Sequence, residues 1–323
     1  MSTHQGARLP LVSVIIPAYN SAGFICQALQ SALEQTYGHH EIIVVDDGSS
    51  DETRQILSKF QGRLKYFYQE NRGAAAARNT GIKAAHGDFL CFLDADDLWV
   101  SNKLELQLAF LKRHRDIGLL SSRCRKFIDQ GAPYTPLAAK APESNAARIF
   151  SAPEAFPELV KTNFIPTSTV MIRKECFERV GLFDPHLTPV EDRDMWLRIS
   201  AHFGVAHLPW VLCDKRLHHS NISNDKARML YTRAKVLEKN RELFPGIAPS
   251  KLWNRQLAKL YAKAGRLSLI QDQREEARRA AVRSLKNAPN AKAAMLWMAT
   301  FMGRRAIRTF LRSRMQRAEI ENR

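Results

Sequence analysis

Carboxylates recur in this sequence where the chain would turn back on itself. Asp94-Ala-Asp96-Asp97 follows Phe89-Leu-Cys-Phe-Leu93, and Asp46-Asp47-Gly48-Ser49-Ser50 follows Glu41-Ile-Ile-Val-Val45. Clustered carboxylates are costly unless a cation joins them. The simplest remedy for Asp94, Asp96 and Asp97 is a hard divalent ion, Mn2+ or Mg2+, which takes oxygen ligands and leaves places for phosphate oxygens. The same triplet also suits a solvated turn capping a helix. Asn71-Arg-Gly-Ala-Ala-Ala-Ala-Arg78-Asn79 adds a cation of its own. Gly73 permits close backbone approach at a helix start, and Arg78 offers a fork that matches phosphate. The plainer reading is a packed helix with one exposed arginine.

These residues need a frame to hold them. Val12–Ile16 reads as a strand closed by Pro17, and Phe24, Ala28, Leu29, Ala32 and Leu33 then repeat at helical spacing. Glu41–Val45, Leu64–Tyr68 and Phe89–Leu93 read as further strands. Asp51 and Glu52 open a helix in the first turn, where its dipole favours carboxylates, and Ala74–Ala85 is another helix. Alternation with nearly continuous apolar strands predicts an α/β fold, a Rossmann-like, mostly parallel sheet covered on both faces. Ligands of such sheets bind beyond the carboxyl ends of the strands. Those ends carry Pro17–Asn20, Asp46–Asp47 and Asp94–Asp97, so five acidic residues from two loops meet at one crevice edge.

Residues 115–190 are less regular. Ile117–Ser122 and Thr169–Arg173 suit strands, Pro153–Thr162 a helix, and Gly131–Ser144 a mobile loop. Glu191–Phe203 reads as an amphipathic helix with Met195, Trp196 and Ile199 inward, followed by a strand Val205–Cys213. From Asp225 the pattern is helical: Lys226–Leu243, then Ser250 to Lys263 with a stop at Gly265, and finally Ala291–Arg317. Tyr261, Gly265, Ala277, Ala281 and Pro289 echo a helical-hairpin repeat, present in one copy at most.

Charge divides the chain of 323 residues in the same place. The total is +17, yet residues 1–224 hold 25 Lys/Arg against 24 Asp/Glu, while residues 225–323 hold 24 against 8. Five widely spaced cysteines without a C-x-x-C argue against a disulfide framework or a zinc site and for a reducing compartment. No apolar run has the roughly 18–20 residues a membrane-spanning helix requires. Leu9–Tyr19 reads as a buried strand, not a signal peptide, because it is rich in β-branched residues and contains Pro17.

Val12-Ser-Val-Ile-Ile-Pro-Ala-Tyr-Asn20, Val45-Asp-Asp-Gly-Ser49, Asn71-x-Gly-x-Ala-x-Ala-Arg-Asn-x-Gly81 and Leu93-Asp-Ala-Asp-Asp97 occur in series. In this the chain resembles the family 2 glycosyltransferases, inverting enzymes of the A-type glycosyltransferase fold, over residues 9–224. The resemblance implies that Pro17 and Tyr19 form part of the nucleotide wall. Asp47, with Asp46 beside it, accepts a hydrogen bond from a uracil ring, and Arg78 lies near base and diphosphate. Asp96 is implied as a direct metal ligand, Asp94 lies nearer the ribose within the same motif, and Asp97 supports them. Glu191-Asp192 is similar to the family's Glu-Asp pair, in which the aspartate is the catalytic base, with Trp196 and Arg198 continuing the helix. Arg216-x-His218, followed by Ser223, resembles the segment that closes over the diphosphate; His218 reaches metal or phosphate, with His219 as the alternative.

The implied enzyme is a metal-dependent hexosyl- or N-acetylhexosaminyl-transferase of cell-surface polysaccharide synthesis. It would move sugar from a nucleotide-sugar donor, a UDP-sugar, to a hydroxyl of a glycan or lipid-linked acceptor. The alternative is an inactive glycosyltransferase-like, membrane-associated binding module, against which the intact Asp94-x-Asp96 and Glu191-Asp192 argue. A nucleotidyltransferase would need a Gly-rich loop where Pro17-Ala-Tyr-Asn20 stands, and a dehydrogenase would need G-x-G-x-x-G there. Two domains are expected, 9–224 catalytic and 225–323 basic and helical. The basic region faces an anionic membrane surface, binds an anionic glycan, or merely packs. Nucleic acid is not an expected partner, because no recognition motif accompanies the charge. The expected location is cytoplasmic, with a peripheral position on the inner face of the membrane.

Overall fold

The computed structural model describes residues 8–128, 136, 147–218 and 226–302. The expected loop Gly131–Ser144 other than Pro136, His219 and Ser223, and the expected helix beyond Met302 lie outside the described residues. The chain divides into two compact units, Met1–Asn221 and Ile222–Arg323.

The first unit is built on one mixed sheet. Among the described residues its strands are β1 (Val12–Ala18), β2 (His40–Asp46), β3 (Lys65–Tyr68), β4 (Phe89–Phe92), β5 (Leu98–Trp99), β6 (Ile117–Ile128), β7 (Arg148–Phe150), β8 (Met171–Arg173) and β9 (Gly204–Leu217). They lie in the order β3-β2-β1-β4-β8-β6-β9-β5, with β7 also on β9. Pairing is parallel from β3 through β4, antiparallel on both sides of β8, and parallel again between β6 and β9. Two antiparallel steps restore the direction, so β6 and β9 run with β1, β2, β3 and β4. Only β8, β5 and β7 run against them. The carboxyl ends of β1, β2, β4 and β9 therefore share one edge, and the amino end of β8 comes to that edge too.

Helices α1 (Ile25–Leu33), α2 (Thr53–Ser58), α3 (Ala74–Ala84), α4 (Lys103–Arg113), α5 (Ala155–Lys161), α6 (Lys174–Val180) and α7 (Glu191–Ser200) accompany the sheet. Val12, Val14, Ile16, Val44, Cys91 and Leu93 are buried in its core together with Ala28 and Leu29 of α1. Met195, Trp196 and Ile199 of α7 are fully buried, as the helical spacing predicts.

Several boundaries differ from the sequence expectation: β6 runs on past Ser122 to Ile128, α2 begins at Thr53 after Asp51 and Glu52, and β1 and β9 differ for physical reasons. Pro17 does not close β1, which continues to Ala18. Pairing with β4 ends at Ile15–Phe92, so no ladder bond from that side requires the N–H that proline lacks. The strand from residue 204 runs to Leu217, beyond Cys213, and so carries Asp214, Lys215 and Arg216 in its ladder with β6.

The second unit contains α8 (Lys226–Leu243), α9 (Ser250–Ile270), α10 (Arg274–Asn287) and α11 (Ala291–Ala299). Gly265 does not stop α9. It lets helices approach, since a Cβ there would lie 2.8 Å from Leu296 Cδ2 and 2.9 Å from Ala280 Cβ. Leu269, Ala277, Ala281, Leu296 and Ala299 form the buried centre of this unit. The spaced small residues of α9 and α10 thus mark a single hairpin to which α11 is added.

Candidate active site

The site edge is assembled from loops that follow buried strands. Asn20 adopts a left-handed backbone, φ 46°, after β1. Its N–H donates to Ser49 Oγ at 3.0 Å, and its side-chain Oδ1 accepts from Ser50 N at 2.8 Å. The loop after β1 is thereby tied to the loop after β2. Tyr19 is exposed there, whereas Pro17 is buried in β1.

Asp46 is fully buried; its carboxylate accepts from Ser49 N at 2.9 Å and from Tyr66 Oη at 2.8 Å. Asp47 is buried as well. Its Oδ1 accepts from Gln69 Nε2 at 2.6 Å and Arg72 N at 3.0 Å, and its Oδ2 accepts from Gly73 N at 2.7 Å. Asp47 therefore holds the turn that leads into α3. The turn itself requires Gly48: its φ is +81°, and a Cβ would lie 2.8 Å from Asn71 N.

Arg78 occupies the centre of the site. Its guanidinium is buried and makes two ion pairs, Nη2 to Asp94 Oδ1 at 2.8 Å and Nη1 to Glu191 Oε1 at 2.6 Å. Its fork is thus engaged by two carboxylates of the chain itself. One of these belongs to the Asp94–Asp97 turn and the other opens α7. Arg78 Nε and Glu191 Oε2 are buried without a hydrogen-bond partner. Burial works against the charge on Arg78, but Asp94 and Glu191 hold its pKa above the usual arginine range.

The Asp94–Asp97 turn is held from several sides. Asp94 N donates to Ser168 Oγ at 3.2 Å, and that hydroxyl donates to Asp97 Oδ2 at 2.6 Å. Arg216 N donates to Asp97 Oδ1 at 3.2 Å, its Nε to the Asp96 carbonyl at 3.0 Å, and its Nη2 to Gln27 Oε1 at 2.5 Å. His218 Nε2 lies 2.9 Å from Asp96 Oδ2, and its ring stacks on Phe24 with centroids 4.6 Å apart. Burial and the charges of Asp94 and Asp96 push Asp97 up to about 7 against the pull of Lys215 and Ser168. Burial also acts to raise Asp94, but Arg78 and Lys215 keep it below the usual carboxylate range. Lys215 is the reciprocal case: burial is outweighed by Asp94, Asp97 and Asp96, so its pKa is raised.

Glu191 and Asp192 stand in the first turn of α7. Asp192 Oδ2 accepts from Asn163 Nδ2 at 3.0 Å, and Oδ1 from Arg193 N at 2.6 Å. Burial and the neighbouring Glu191 push its carboxyl up to about 6. Asp192 is half-buried, and a carboxyl raised in this way suits a proton acceptor working near neutrality.

The glycosyl transferase family 2 model matches residues 13–181. The chain belongs to this family. WfgD of Escherichia coli, named a UDP-Glc:alpha-D-GlcNAc-diphosphoundecaprenol beta-1,3-glucosyltransferase, is 33% identical over 70% of this chain and 85% of its own length. TuaG of Bacillus subtilis, a glycosyltransferase named for teichuronic acid biosynthesis, is 33% identical over 67% of this chain and 83% of its own. Two solved structures share the fold. S. aureus TarS 1-349 in complex with UDP has TM-score 0.60 and 19% identity over 90% of this chain and 89% of that one. Mannosyltransferase PcManGT from Pyrobaculum calidifontis, in complex with GDP-Man and Mn2+, has TM-score 0.58 and 22% identity over 90% and 79%. The fold is therefore the A-type glycosyltransferase fold.

For this family 2 chain, the acidic turn suits a hard divalent ion. One carboxylate oxygen from each of Asp94, Asp96 and Asp97 lies within 4.8 Å of the others, an all-oxygen set. Sequence reading did not find Lys215, Ser168, Gln69 or Asn163. None sits in a motif; only continuing β9 past Cys213 would have brought Lys215 to this edge.

Proposed function

We propose that this family 2 chain transfers a sugar from a UDP-sugar to a hydroxyl of a glycan or lipid-linked acceptor in cell-surface polysaccharide synthesis, with inversion of configuration. One observation carries the reading. Arg78 joins the Asp94 turn to Glu191, and Asp192, whose carboxyl is pushed up to about 6, follows directly in α7. A donor-binding turn and a base are thereby built as one device. The names of WfgD and TuaG support the choice of donor, acceptor and process.

In this reading Asp96, Asp94 and His218 hold Mn2+ or Mg2+, which when bound supplies positive charge to the leaving diphosphate. Pro17 and Tyr19 border the nucleotide, and Asp47, with Asp46 fixing its turn, presents the uracil-recognising edge. Lys215 adds a cation beside the acidic turn. Asp192 takes the proton from the acceptor hydroxyl as its oxygen attacks the anomeric carbon. Arg78 is a positioning residue that sets the base against the donor. Hexose or N-acetylhexosamine is the transferred group. Residues 9–224 form the catalytic domain and 225–323 a basic helical domain, and the chain works as a peripheral protein on the inner face of the membrane.

The test is donor hydrolysis across a panel of nucleotide sugars, with and without Mn2+, followed by release of nucleoside diphosphate. Release from a UDP-sugar that depends on Mn2+ is expected. Absence of release from every donor would favour the inactive binding module instead.

A further inference from the structure

Helix α11 is apolar on both sides. Ala293, Leu296 and Ala299 are buried, the last two in the centre of the second unit. The opposite side and the turn after it expose Trp297 at 40%, Met298 at 54% and Phe301 at 59%. Lys292 is the only charged residue of the helix. A helix apolar all round is ordinarily wrapped by protein or set against lipid.

The exposed side chains form an ordered patch. The rings of Trp297 and Phe301 meet edge to face with centroids 5.0 Å apart. Arg278 of α10 lies over the Phe301 ring at 4.2 Å, and its Nε donates to Thr300 Oγ1 at 3.3 Å. An arginine so placed keeps its charge at the edge of an apolar surface. Residues 226–302 carry 17 Lys/Arg against 5 Asp/Glu.

We infer that Trp297, Met298 and Phe301, flanked by Arg278, form a docking surface for an anionic lipid bilayer. Tryptophan, phenylalanine and methionine beside arginine suit the boundary between headgroups and acyl chains, where apolar insertion and attraction to anionic headgroups act together. Charge decides between occupants. A second copy would press one basic unit against another, whereas an anionic surface neutralises it. No described helix is long and apolar enough to cross a membrane, which agrees with surface docking. The inference rests on the proposed peripheral location and gives it a surface; it would also place the enzyme where a lipid-linked acceptor is found.

Sedimentation of the full chain with vesicles tests it, using phosphatidylcholine alone and phosphatidylcholine mixed with phosphatidylglycerol, at low and high salt. The protein is expected to bind the mixed vesicles, more weakly in high salt and on phosphatidylcholine alone. The double variant Trp297→Ser with Phe301→Ser should bind about tenfold more weakly or less, with its thermal melt and donor hydrolysis unchanged. Should that variant unfold, the single change Met298→Ser provides the same test with a smaller loss, about threefold. Equal binding of variant and wild type, or no binding to mixed vesicles, would overturn the surface. So would light scattering that shows a dimer of the wild type broken by the double variant, because a second copy would then be the occupant. Donor hydrolysis without vesicles reads the enzyme separately: its loss with vesicle binding intact would sink the transferase reading and leave the surface standing.

Discussion

At the scale of single residues, the site depends on carboxylates held in unlike environments. Asp94 is kept low by Arg78 and Lys215, while burial and Glu191 push Asp192 up to about 6. A base is active only when deprotonated, so turnover should rise as pH climbs through about 6. Stability should move the other way. A carboxyl whose folded pKa exceeds its unfolded value lowers stability once pH passes the unfolded value, and the loss is complete above the folded one. Asp192→Asn should therefore be more stable than wild type at pH 8, with the difference closing as pH falls through about 6 into the ordinary carboxylate range. Denaturant melts at several pH values would show this. A pH-independent difference would mean that Asp192 does not carry the buried charge assigned to it.

At the scale of elements, the strand order determines which loops meet. Two antiparallel steps around β8 bring the end of β9 to the same edge as the ends of β1, β2 and β4. Arg78 then fastens α3 to the Asp94 turn and to the start of α7. Removing it leaves Glu191 buried and unpaired, so Arg78→Ala should lower stability by roughly 3–5 kcal/mol. Arg78→Lys should recover only part of this, since one ammonium cannot serve both carboxylates as a planar fork does. Chemical denaturation would measure both; near-wild-type stability of Arg78→Ala would remove it from the positioning role. The acidic loops and the strands before them, β2 and β4, were legible because their buried apolar runs end abruptly in Asp. The partners of Arg78 were not, since Glu191 lies 113 positions away and no local pattern reports that distance. Strands as short as Leu98–Trp99 and Arg148–Phe150 also leave no periodicity to read. Gly265 misled because a glycine that ends a helix and one that admits a neighbouring helix look alike in sequence.

At the scale of the whole molecule, charge is divided by task. Residues 1–224 are nearly neutral and hold the clustered carboxylates of the proposed site, while the basic excess belongs to residues 225–323. The proposed role of Asp192 is that of the base in a sugar transfer whose donor is held elsewhere in the same site. It is tested most directly by Asp192→Asn, with nucleotide affinity measured by calorimetry in Mn2+ and turnover measured on the donor found in the panel. Donor binding should stay close to wild type while turnover falls about 10²–10⁴-fold. Near-normal turnover in Asp192→Asn would contradict the claim.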